Sequence, residues 1–508
     1  MTADASQQPV IDFLSDPASH GGAPVKRIDT HTALVFLTGE RALKIKRAVR
    51  FPFLDFSTLK KRRTACEAEI TVNRAFAPSI YRRVLPITSS PSGGLAVGGN
   101  GEPVEWAVEM RRFDESQTLD HLADAGRIDE ALADALGRAV AAAHRTARTI
   151  TDSHFVEALG EIIEQNEAEL AAEPFSASLH DLRTLTAAAQ AALDRVRPLL
   201  LARERAGLVR RCHRDLHLGN IVLVGGQPVL FDAIEFDDRI ATGDVFYDLA
   251  FLLMDLIERG LHREANIVLN RYLTETQRIH DLDALAALPL FMSVRAAIRA
   301  KVTAARLRQA GLQAELTHGP RDYAALAQKF LTPTRPRLIA LGGLSGTGKS
   351  LLARALAPRL PPLPGAVVLR SDVERKALFG ARETDRLPEK AYAVDTTTKV
   401  YAALAEKARR VVSAGHSVIV DAVFAQPDER SAIANIAPAA FEGLFLTANL
   451  ETRLARIRAR SNDASDADTT IARQQEDFDL GHNTWTKVEA SGTPEETLIR
   501  AEAMLGHE

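Results

Sequence analysis

A glycine-rich segment at residues 343–350 has the residue types that can cradle a phosphate chain. It reads GLSGTGKS and fits the pattern G-x-x-x-x-G-K-[ST] in full. Glycines let backbone N–H groups fold around phosphate oxygens, the Lys349 ammonium can reach the β- and γ-phosphates, and the Ser350 hydroxyl can bind Mg²⁺. An apolar strand pattern precedes the segment and a helical pattern follows it. The sequence therefore predicts a nucleotide-binding loop formed by Gly343, Ser345, Gly346, Thr347, Gly348, Lys349 and Ser350.

Acidic and basic residues further along the chain complete this set. Asp372 closes the next apolar run, where a carboxylate can accept a proton from a substrate hydroxyl. Arg375, one helical turn later, can hold a substrate anion. Asp421 ends the apolar run SVIVDA, as a carboxylate that organises Mg²⁺ would. The competing interpretation is that Ser371 and Glu374 form a capping box and the segment around Asp372 only starts a helix.

A run of arginines precedes the polar loop SNDASDAD in the last third of the chain. Arg456 and Arg460 are four residues apart and therefore share a helix face, from which they can clamp the charge of a phosphate in transfer. A basic, solvated helix face is the alternative for each of these arginines.

A second set of chemical groups lies in the first half of the chain. The segment CHRDLHLGN places Asp215 five residues before Asn220, which matches H-R-D-x-x-x-x-N. In that pattern the aspartate accepts the proton of an attacking hydroxyl and the asparagine oxygen binds Mg²⁺. Asp232 ends an apolar run twelve residues later, where a second Mg²⁺ ligand is expected.

A lysine to hold the α- and β-phosphates is expected on a strand upstream. Lys44 fits this role, and Lys46 is the alternative because it shares the same strand face. The glutamate that pairs with this lysine is Glu67 or Glu69 on the following helix. Residues 107–113, AVEMRRF, are predicted to be the hinge whose backbone binds adenine.

The elements that position these groups indicate several domains. Two short strand patterns, a helix over 59–75 and another strand pattern at 104–113 predict a small lobe of about 30–114. A mostly helical pattern follows and predicts a second lobe of about 115–330. Residues 331–337, LTPTRPR, are a candidate linker. From residue 338 to 508 strands alternate with helices, which predicts a parallel sheet.

Length and composition agree with this organisation. A chain of 508 residues exceeds the size of one hydrophobic core, and 46% apolar residues are ordinary for a globular protein. A net charge of −3 gives no support for a nucleic-acid or membrane partner, although it does not exclude a local basic groove. Two distant cysteines and an N-terminus without a signal-peptide pattern lead us to expect a cytoplasmic protein.

The last third, about residues 337–505, resembles the P-loop kinases related to polynucleotide 5′-hydroxyl kinases, gluconate kinases and zeta toxins. The resemblance implies that Asp372 is the base, Arg375 a substrate-phosphate contact, and Arg456 and Arg460 lid residues. The competing reading is a P-loop ATPase that hydrolyses ATP to switch conformation. Ala422, rather than a second acidic residue, follows Asp421, which argues against that reading.

Residues of about 30–330 resemble the aminoglycoside phosphotransferase family. Its H-x-D-L-H-x-x-N loop is matched by His213, Asp215, Leu216, His217 and Asn220. A protein kinase gated by phosphorylation is disfavoured, because no G-x-G-x-x-G precedes Lys44 and no A-P-E segment follows Asp232.

The expected fold is multidomain, α/β and α+β, with an N-terminal protein-kinase-like bilobal fold and a C-terminal P-loop α/β domain. The expected activity is a bifunctional phosphotransferase that uses ATP and Mg²⁺, each domain passing the γ-phosphate to a hydroxyl of a small molecule or nucleic-acid end. The alternatives are a regulatory protein with one idle nucleotide site and a toxin-like, nucleic-acid-processing kinase.

Overall fold

The computed structural model describes residues 5–51, 54–90, 93–173, 178–310, 319–459 and 464–506. Across these residues the chain divides into two compact units. The first unit joins Met1–Leu159 to Leu201–Asp255, and the second joins Gly160–Leu200 to Leu256–Glu508.

A six-stranded sheet of order β1-β2-β3-β8-β6-β7 forms the first part of unit one, and every neighbouring pair in it is antiparallel. Leu14 of the N-terminal helix packs in the apolar cluster on one face, and Ile70 of the second helix packs on the other. The elements are α1 (Gln8–Ser15), β1 (Val25–Asp29), β2 (Ala33–Thr38), β3 (Arg41–Lys46), β4 (Arg50–Phe51), β5 (Leu54–Asp55), α2 (Leu59–Phe76), β6 (Tyr81–Ser89), β7 (Leu95–Val97) and β8 (Glu102–Arg111).

Two short antiparallel pairs frame the loop that carries Asp215. One pair joins β9 (Val209–Arg211) to β12 (Thr242–Asp244), and the other is the hairpin of β10 (Ile221–Val224) and β11 (Gln227–Leu230). The loop between β9 and β10 is thus fixed at both ends by hydrogen-bonded strands.

The rest of the chain up to residue 331 is mostly helical, as its spacing of Ala and Leu predicts. The helices are α3 (Leu119–Asp124), α4 (Glu130–Thr146), α5 (Phe155–Ala171), α6 (Leu179–Arg205), α7 (Asp238–Ala241), α8 (Val245–Glu258), α9 (His262–Thr276), α10 (Ile279–Asp283), α11 (Leu288–Ala310) and α12 (Pro320–Leu331).

A five-stranded, entirely parallel sheet of order β14-β15-β13-β16-β17 forms the centre of unit two, which confirms the predicted α/β architecture. Its carboxyl-terminal ends meet at one edge, where ligands bind in such sheets. The elements are β13 (Leu338–Gly343), α13 (Lys349–Leu356), β14 (Val367–Arg370), α14 (Ser371–Leu378), α15 (Val394–Ser413), β15 (Val418–Asp421), α16 (Pro427–Ala434), β16 (Phe441–Thr447), α17 (Leu450–Ala459), α18 (Thr469–Gln474), β17 (Thr486–Glu489) and α19 (Pro494–Leu505).

Within the described ranges, none of the helices combines the length and apolar character needed to cross a bilayer. The small-lobe sheet begins at Val25, earlier than the predicted start at about residue 30.

Candidate active sites

The loop between β9 and β10 brings Asp215 and Asn220 into contact. The Asn220 Nδ2 donates to the Asp215 carboxylate (2.9 Å to Oδ2) and to the Asp215 backbone carbonyl (2.9 Å). Because the amide nitrogen is turned toward Asp215, the amide oxygen is the Asn220 atom that can face a cation.

The backbone of this loop is hydrogen-bonded to Asp248, which is fully buried. Its carboxylate accepts the backbone N–H groups of His213 (3.2 Å) and Arg214 (2.6 Å) and lies 3.1 Å from the His144 Nε2. The His213 Nε2–H donates to the carbonyl oxygen of Phe231 at 2.8 Å. His213 and Asp248 therefore support the loop through its backbone and through the neighbouring strand.

Two lysines and three carboxylates form a cluster beside the loop, in which Glu69 is fully buried and 43% of the Asp232 side chain is exposed. Lys44 lies 2.9 Å from Glu69 and 2.6 Å from Asp232. Lys46 lies 2.6 Å from Glu69 and forms an ion pair with Glu235. Burial opposes the charge on Lys44, but the carboxylates of Asp232 and Glu69 outweigh it and raise the pKa of Lys44 well above its usual value. Burial likewise opposes the charge on Lys46, but Glu235 and Glu69 outweigh it and raise the pKa of Lys46, so both lysines are charged at neutral pH.

The structure separates the two candidate glutamates. Glu69 is fully buried and contacts both lysines, whereas 52% of the Glu67 side chain is exposed and its carboxylate pairs with Arg63. Two residues along a helix turn the side chain to a different face, so only one of the pair can point at the sheet. Burial would raise the pKa of Glu69, but Lys44 and Lys46 lower it to about 2. Glu69, not Glu67, therefore stands beside Lys44.

The backbone at Asp232 is strained and is held by two residues that sequence reasoning missed. Asp232 has a φ of 60°, which a non-glycine residue seldom adopts. Its N–H donates to the Tyr81 hydroxyl (3.1 Å), and the Asn73 amide clamps the next residue, accepting from its N–H (2.7 Å) and donating to its carbonyl (3.2 Å). The Phe231 N–H donates to the Asn220 carbonyl at 2.9 Å, which ties this turn to the Asp215 loop. No short motif marks Asn73 or Tyr81.

The glycine-rich segment forms the turn between β13 and α13. Lys349 Nζ donates to the carbonyls of Gly343 (2.8 Å) and Leu344 (3.2 Å) and so stays on its own loop. The Ser350 hydroxyl donates to Asp421 Oδ2 at 2.5 Å. The structure thus joins three of the predicted groups: the loop, its hydroxyl and the carboxylate at the end of β15.

Asp372 is the second residue of α14, at the end of β14. The proposed capping box is wrong: α14 begins at Ser371, Arg370 is its N-cap residue without a side-chain cap, and Glu374 binds Lys407 instead (2.6 Å). The start of α14 is therefore not held by its own side chains.

The surroundings of Asp372 favour its role as a proton acceptor. Burial raises its pKa and the nearby Asp421 raises it further, while Arg370, a hydrogen bond with Ser465 and Lys349 act in the opposite direction. A carboxylate of raised pKa holds a proton more firmly than an ordinary aspartate.

Arg375 lies on the next turn of α14 and is 7% exposed. Its Nη1 donates to the Ala391 carbonyl (2.6 Å) and to the Thr397 hydroxyl (3.3 Å), and the guanidinium lies 4.9 Å from the centroid of the Tyr392 ring. The guanidinium is thus fixed in place and faces the same cavity as Asp372.

Helix α17 places two arginines on the glycine-rich loop. Arg456 donates to the Thr347 carbonyl (3.3 Å) and to the Gly492 carbonyl (2.7 Å). Arg453, which the sequence did not single out as a site residue, donates to the Ser345 carbonyl at 2.8 Å, and the Ser345 N–H donates to Gln475 Oε1 at 2.8 Å. The predicted partner on the helix face, Arg460, lies outside the described residues.

A cavity of about 1760 Å³ in unit two is lined by these groups, among them Lys349, Asp372, Arg375, Asp421 and Arg456. Pockets for one ligand usually measure about 300–1,000 Å³. The cavity therefore has room for a nucleotide and an acceptor together.

Two family models match the chain, one in each region where the sequence predicts chemistry. Residues 93–288 match the Phosphotransferase enzyme family (APH), and residues 338–480 match an AAA domain family, AAA_33. These matches confirm the predicted resemblance and the predicted fold class.

Relatives match over nearly the full length. The chain is 31% identical over 488 residues to "Uncharacterized protein Rv2004c" of Mycobacterium tuberculosis and to "Uncharacterized protein Mb2027c" of Mycobacterium bovis, covering 93% of this chain and 94% of each relative. Among solved structures, a choline/ethanolamine kinase family protein from Mesorhizobium loti is 15% identical, with 64% of this chain and 92% of that chain covered and a TM-score of 0.38. A gluconokinase from Sinorhizobium meliloti is 20% identical, with 34% and 93% covered and a TM-score of 0.26.

Proposed function

The chain belongs to one protein family with these mycobacterial relatives and is a kinase, and we propose that it is bifunctional, each domain transferring the γ-phosphate of Mg-ATP to a hydroxyl of a small molecule. The observation that carries the proposal is that two sets of groups occur on separate units. Each set contains a proton acceptor, oxygen donors for a cation and a lysine for phosphates.

In the first site, Asp215 accepts the proton of the acceptor hydroxyl as its oxygen attacks the γ-phosphorus. The bond from the β-phosphate oxygen to the γ-phosphorus breaks, and ADP leaves. Lys44, oriented by Glu69, holds the α- and β-phosphates. Its contact with Glu69 supports this role because the buried carboxylate favours the charged form of the lysine.

In the second site, Asp372 accepts the proton and Arg375 holds an anionic group of the acceptor. The backbone N–H groups of residues 345–350 and Lys349 hold the phosphates, and Arg456 closes over them. The raised pKa of Asp372 and the common cavity support these roles.

The donor sets suit Mg²⁺. The first site offers the Asn220 amide oxygen and the Asp232 carboxylate, and the second offers the Ser350 hydroxyl and the Asp421 carboxylate; these are the hard oxygen ligands that Mg²⁺ takes. When bound, Mg²⁺ neutralises charge on the phosphates. In the second site the hydrogen bond from Ser350 to Asp421 keeps both donors together.

A small-molecule acceptor fits the second site better than a nucleic-acid end does. Of the described residues that line the cavity, five are basic and six are acidic. Nucleic-acid binding draws on a clear excess of lysine and arginine that neutralises phosphates. A near-neutral approach to Asp372 therefore argues against a toxin-like or nucleic-acid-processing kinase.

One observation favours a second candidate, in which the first site binds nucleotide without turnover and regulates the second. Lys44 and Asp232 contact each other directly at 2.6 Å, so the phosphate-binding lysine and a cation ligand neutralise one another. Under this candidate, ATP binding at the first site would change turnover at the second and no phosphate would leave the first.

The test is phosphate transfer from labelled ATP to a library of hydroxylated metabolites by the full chain. We compare the wild type with Asp215→Asn, Lys349→Ala and the double variant, because loss of a general base costs about 10²–10⁴-fold in rate. The bifunctional proposal expects two acceptors, one lost with each single variant and both lost in the double variant.

Other outcomes separate the candidates. Phosphate transfer that depends only on Lys349, together with ATP binding that persists in the Lys349→Ala variant, would favour the candidate in which the first site is regulatory. Turnover that survives in the double variant would contradict both candidates.

A further inference from the structure

The outer edge of β14 is covered by side chains of α9. Strand β14 lies at the end of the parallel sheet, and among the residues that the structure describes no strand pairs with its outer edge. Asn270 Oδ1 accepts the Val368 N–H at 2.7 Å, and its Nδ2 donates to the Ala366 carbonyl at 3.1 Å. Asn266 Nδ2 donates to the same carbonyl at 3.0 Å. Spaced four apart, the two asparagines share a helix face and take the place of a neighbouring strand.

The contact is close and specific. Asn266 is 3% exposed, and a side chain at Gly365 would place its Cβ 2.8 Å from the Asn266 Nδ2. Backbone donors and acceptors buried at a strand edge need partners, and these amides supply them from outside the sheet. The position of β14 along α9 is therefore set by these side-chain hydrogen bonds.

Strand β14 leads directly into the catalytic element of the second site. It ends at Arg370, whose guanidinium lies 3.4 Å from Asp421, and α14 then carries Asp372. Beyond α14, Glu383 pairs with Arg271 at 2.9 Å. Two consecutive residues of α9, Asn270 and Arg271, thus hold the chain before and after α14.

We propose that Asn270, assisted by Asn266, is a positioning residue for phosphate transfer at Asp372. Helix α9 lies in the segment that matches the phosphotransferase family, so a part of the first domain's sequence supports the active carboxylate of the second. This inference rests on the proposed function of the second site. The physical reason is that a shift of β14 along the sheet moves Asp372 relative to the phosphates, which are held by the loop after β13.

The test uses the full chain with Asn270→Leu, which removes the amide oxygen that accepts from Val368 and the amide nitrogen that donates to Ala366, with a side chain of similar size. Thr274→Ala is the matched control, because the Thr274 hydroxyl donates within α9 to the backbone carbonyl of Asn270 (2.9 Å), and its loss leaves the Asn270 side chain in place. Misplacement of a reacting group by about 1 Å can cost about a hundredfold in rate, so we expect kcat at the Lys349-dependent site to fall by at least about tenfold. The Kd of ATP at that site stays within about twofold, since the phosphate loop follows a different strand.

Asn270→Asp covers the case in which Asn270→Leu does not fold. It keeps an acceptor for the Val368 N–H but turns a carboxylate toward the Ala366 carbonyl, and we expect an intermediate loss of kcat. Hydrogen exchange of the peptide spanning residues 366–378 gives a readout that is independent of activity. We expect faster exchange there in the Asn270 variants and not in Thr274→Ala.

Unchanged kcat in Asn270→Leu, or in Asn270→Asp where the former does not fold, would overturn the inference. So would an equal loss of kcat and of ATP affinity, which a general loss of folding would produce. If the wild type shows no Lys349-dependent transfer, the proposed function fails by itself. Exchange at 366–378 then still decides whether Asn270 holds β14: faster exchange supports the tether and unchanged exchange rejects it.

Discussion

Lys44 and Lys46 illustrate which contacts of a single residue can be predicted from sequence and which cannot. The pattern located a lysine on a strand and a glutamate on the next helix, but spacing could not choose between Glu67 and Glu69. Burial decides it, since Glu69 is enclosed between both ammonium groups. Lys46 and Glu235 extend the cluster in a way that no motif records.

The buried glutamate gives a stability prediction. Glu69→Gln leaves two buried lysines short of a carboxylate, and removing one partner of a buried ion pair costs about 3–5 kcal/mol. Glu67→Gln is the matched control, since its exposed pair with Arg63 contributes about 0–1 kcal/mol. We expect denaturant unfolding of the first unit to shift strongly for the former only. Equal shifts would contradict the assignment of Glu69.

Asp372 gives a pH prediction at the same scale. Burial raises its pKa, and a base acts only when deprotonated, so activity is lost as pH falls through this raised value. The acid limb of kcat/KM for the Lys349-dependent reaction should therefore lie above the usual aspartate range near about 4. Ser465→Ala removes a hydrogen bond that lowers this pKa, so the limb should move further up. A limb that stays at its wild-type position in Ser465→Ala would count against Asp372 as the base.

At the scale of elements, the sequence predicted the strand–turn–helix around Lys349 and the parallel sheet, because alternation and the glycine pattern are local signals. It did not predict that α1 packs its apolar face into the small lobe, or that Arg453 fastens α17 to the phosphate loop. Both depend on partners far away in sequence. The short loop that holds Asp215 and Asn220 was located because its chemistry is concentrated in nine residues.

The glycine turn gives a prediction for an element. Gly346 has a φ of 84°, and a Cβ there would lie 2.7 Å from the Arg453 carbonyl oxygen. Gly346→Ala should therefore weaken ATP binding at the second site by about tenfold or more, since the loop must open to relieve the clash. Gly380→Ala is the control: its φ is 62° but nothing lies within 4 Å of the added carbon. Titration calorimetry in the presence of Mg²⁺ measures the difference, and equal affinities would show that the loop tolerates the side chain.

At the scale of the whole molecule, the predicted linker at 331–337 stays a prediction. The two compact units divide the chain within α5, α6 and α8, and the second unit contains residues 256–331 as well as the parallel sheet. Scattered contacts such as those of Asn270 produce this division, and they follow no repeat or motif. Sequence reasoning therefore found both kinds of chemistry more readily than it found the boundaries of the units.

Separate nucleotide sites predict separate thermal responses. A ligand at about a hundred times its Kd stabilises the native state by about 2.7 kcal/mol. Mg-ATP should raise the unfolding temperature of the wild type. Lys349→Ala should lose only the stabilisation by Mg-ATP that arises in the second unit. Lys44→Met should lose only the stabilisation by Mg-ATP that arises in the first unit. Calorimetry of both variants tests this, and a complete loss in either one would mean that a single site accounts for all the binding.

The amide-covered edge of β14 also bears on how the protein behaves at high concentration. An open strand edge is a template for strands of other molecules and thus a starting point for aggregates. Asn266 and Asn270 occupy that edge with groups that cannot propagate a sheet. The same two side chains would therefore help to prevent edge-to-edge aggregation of the protein at high concentration.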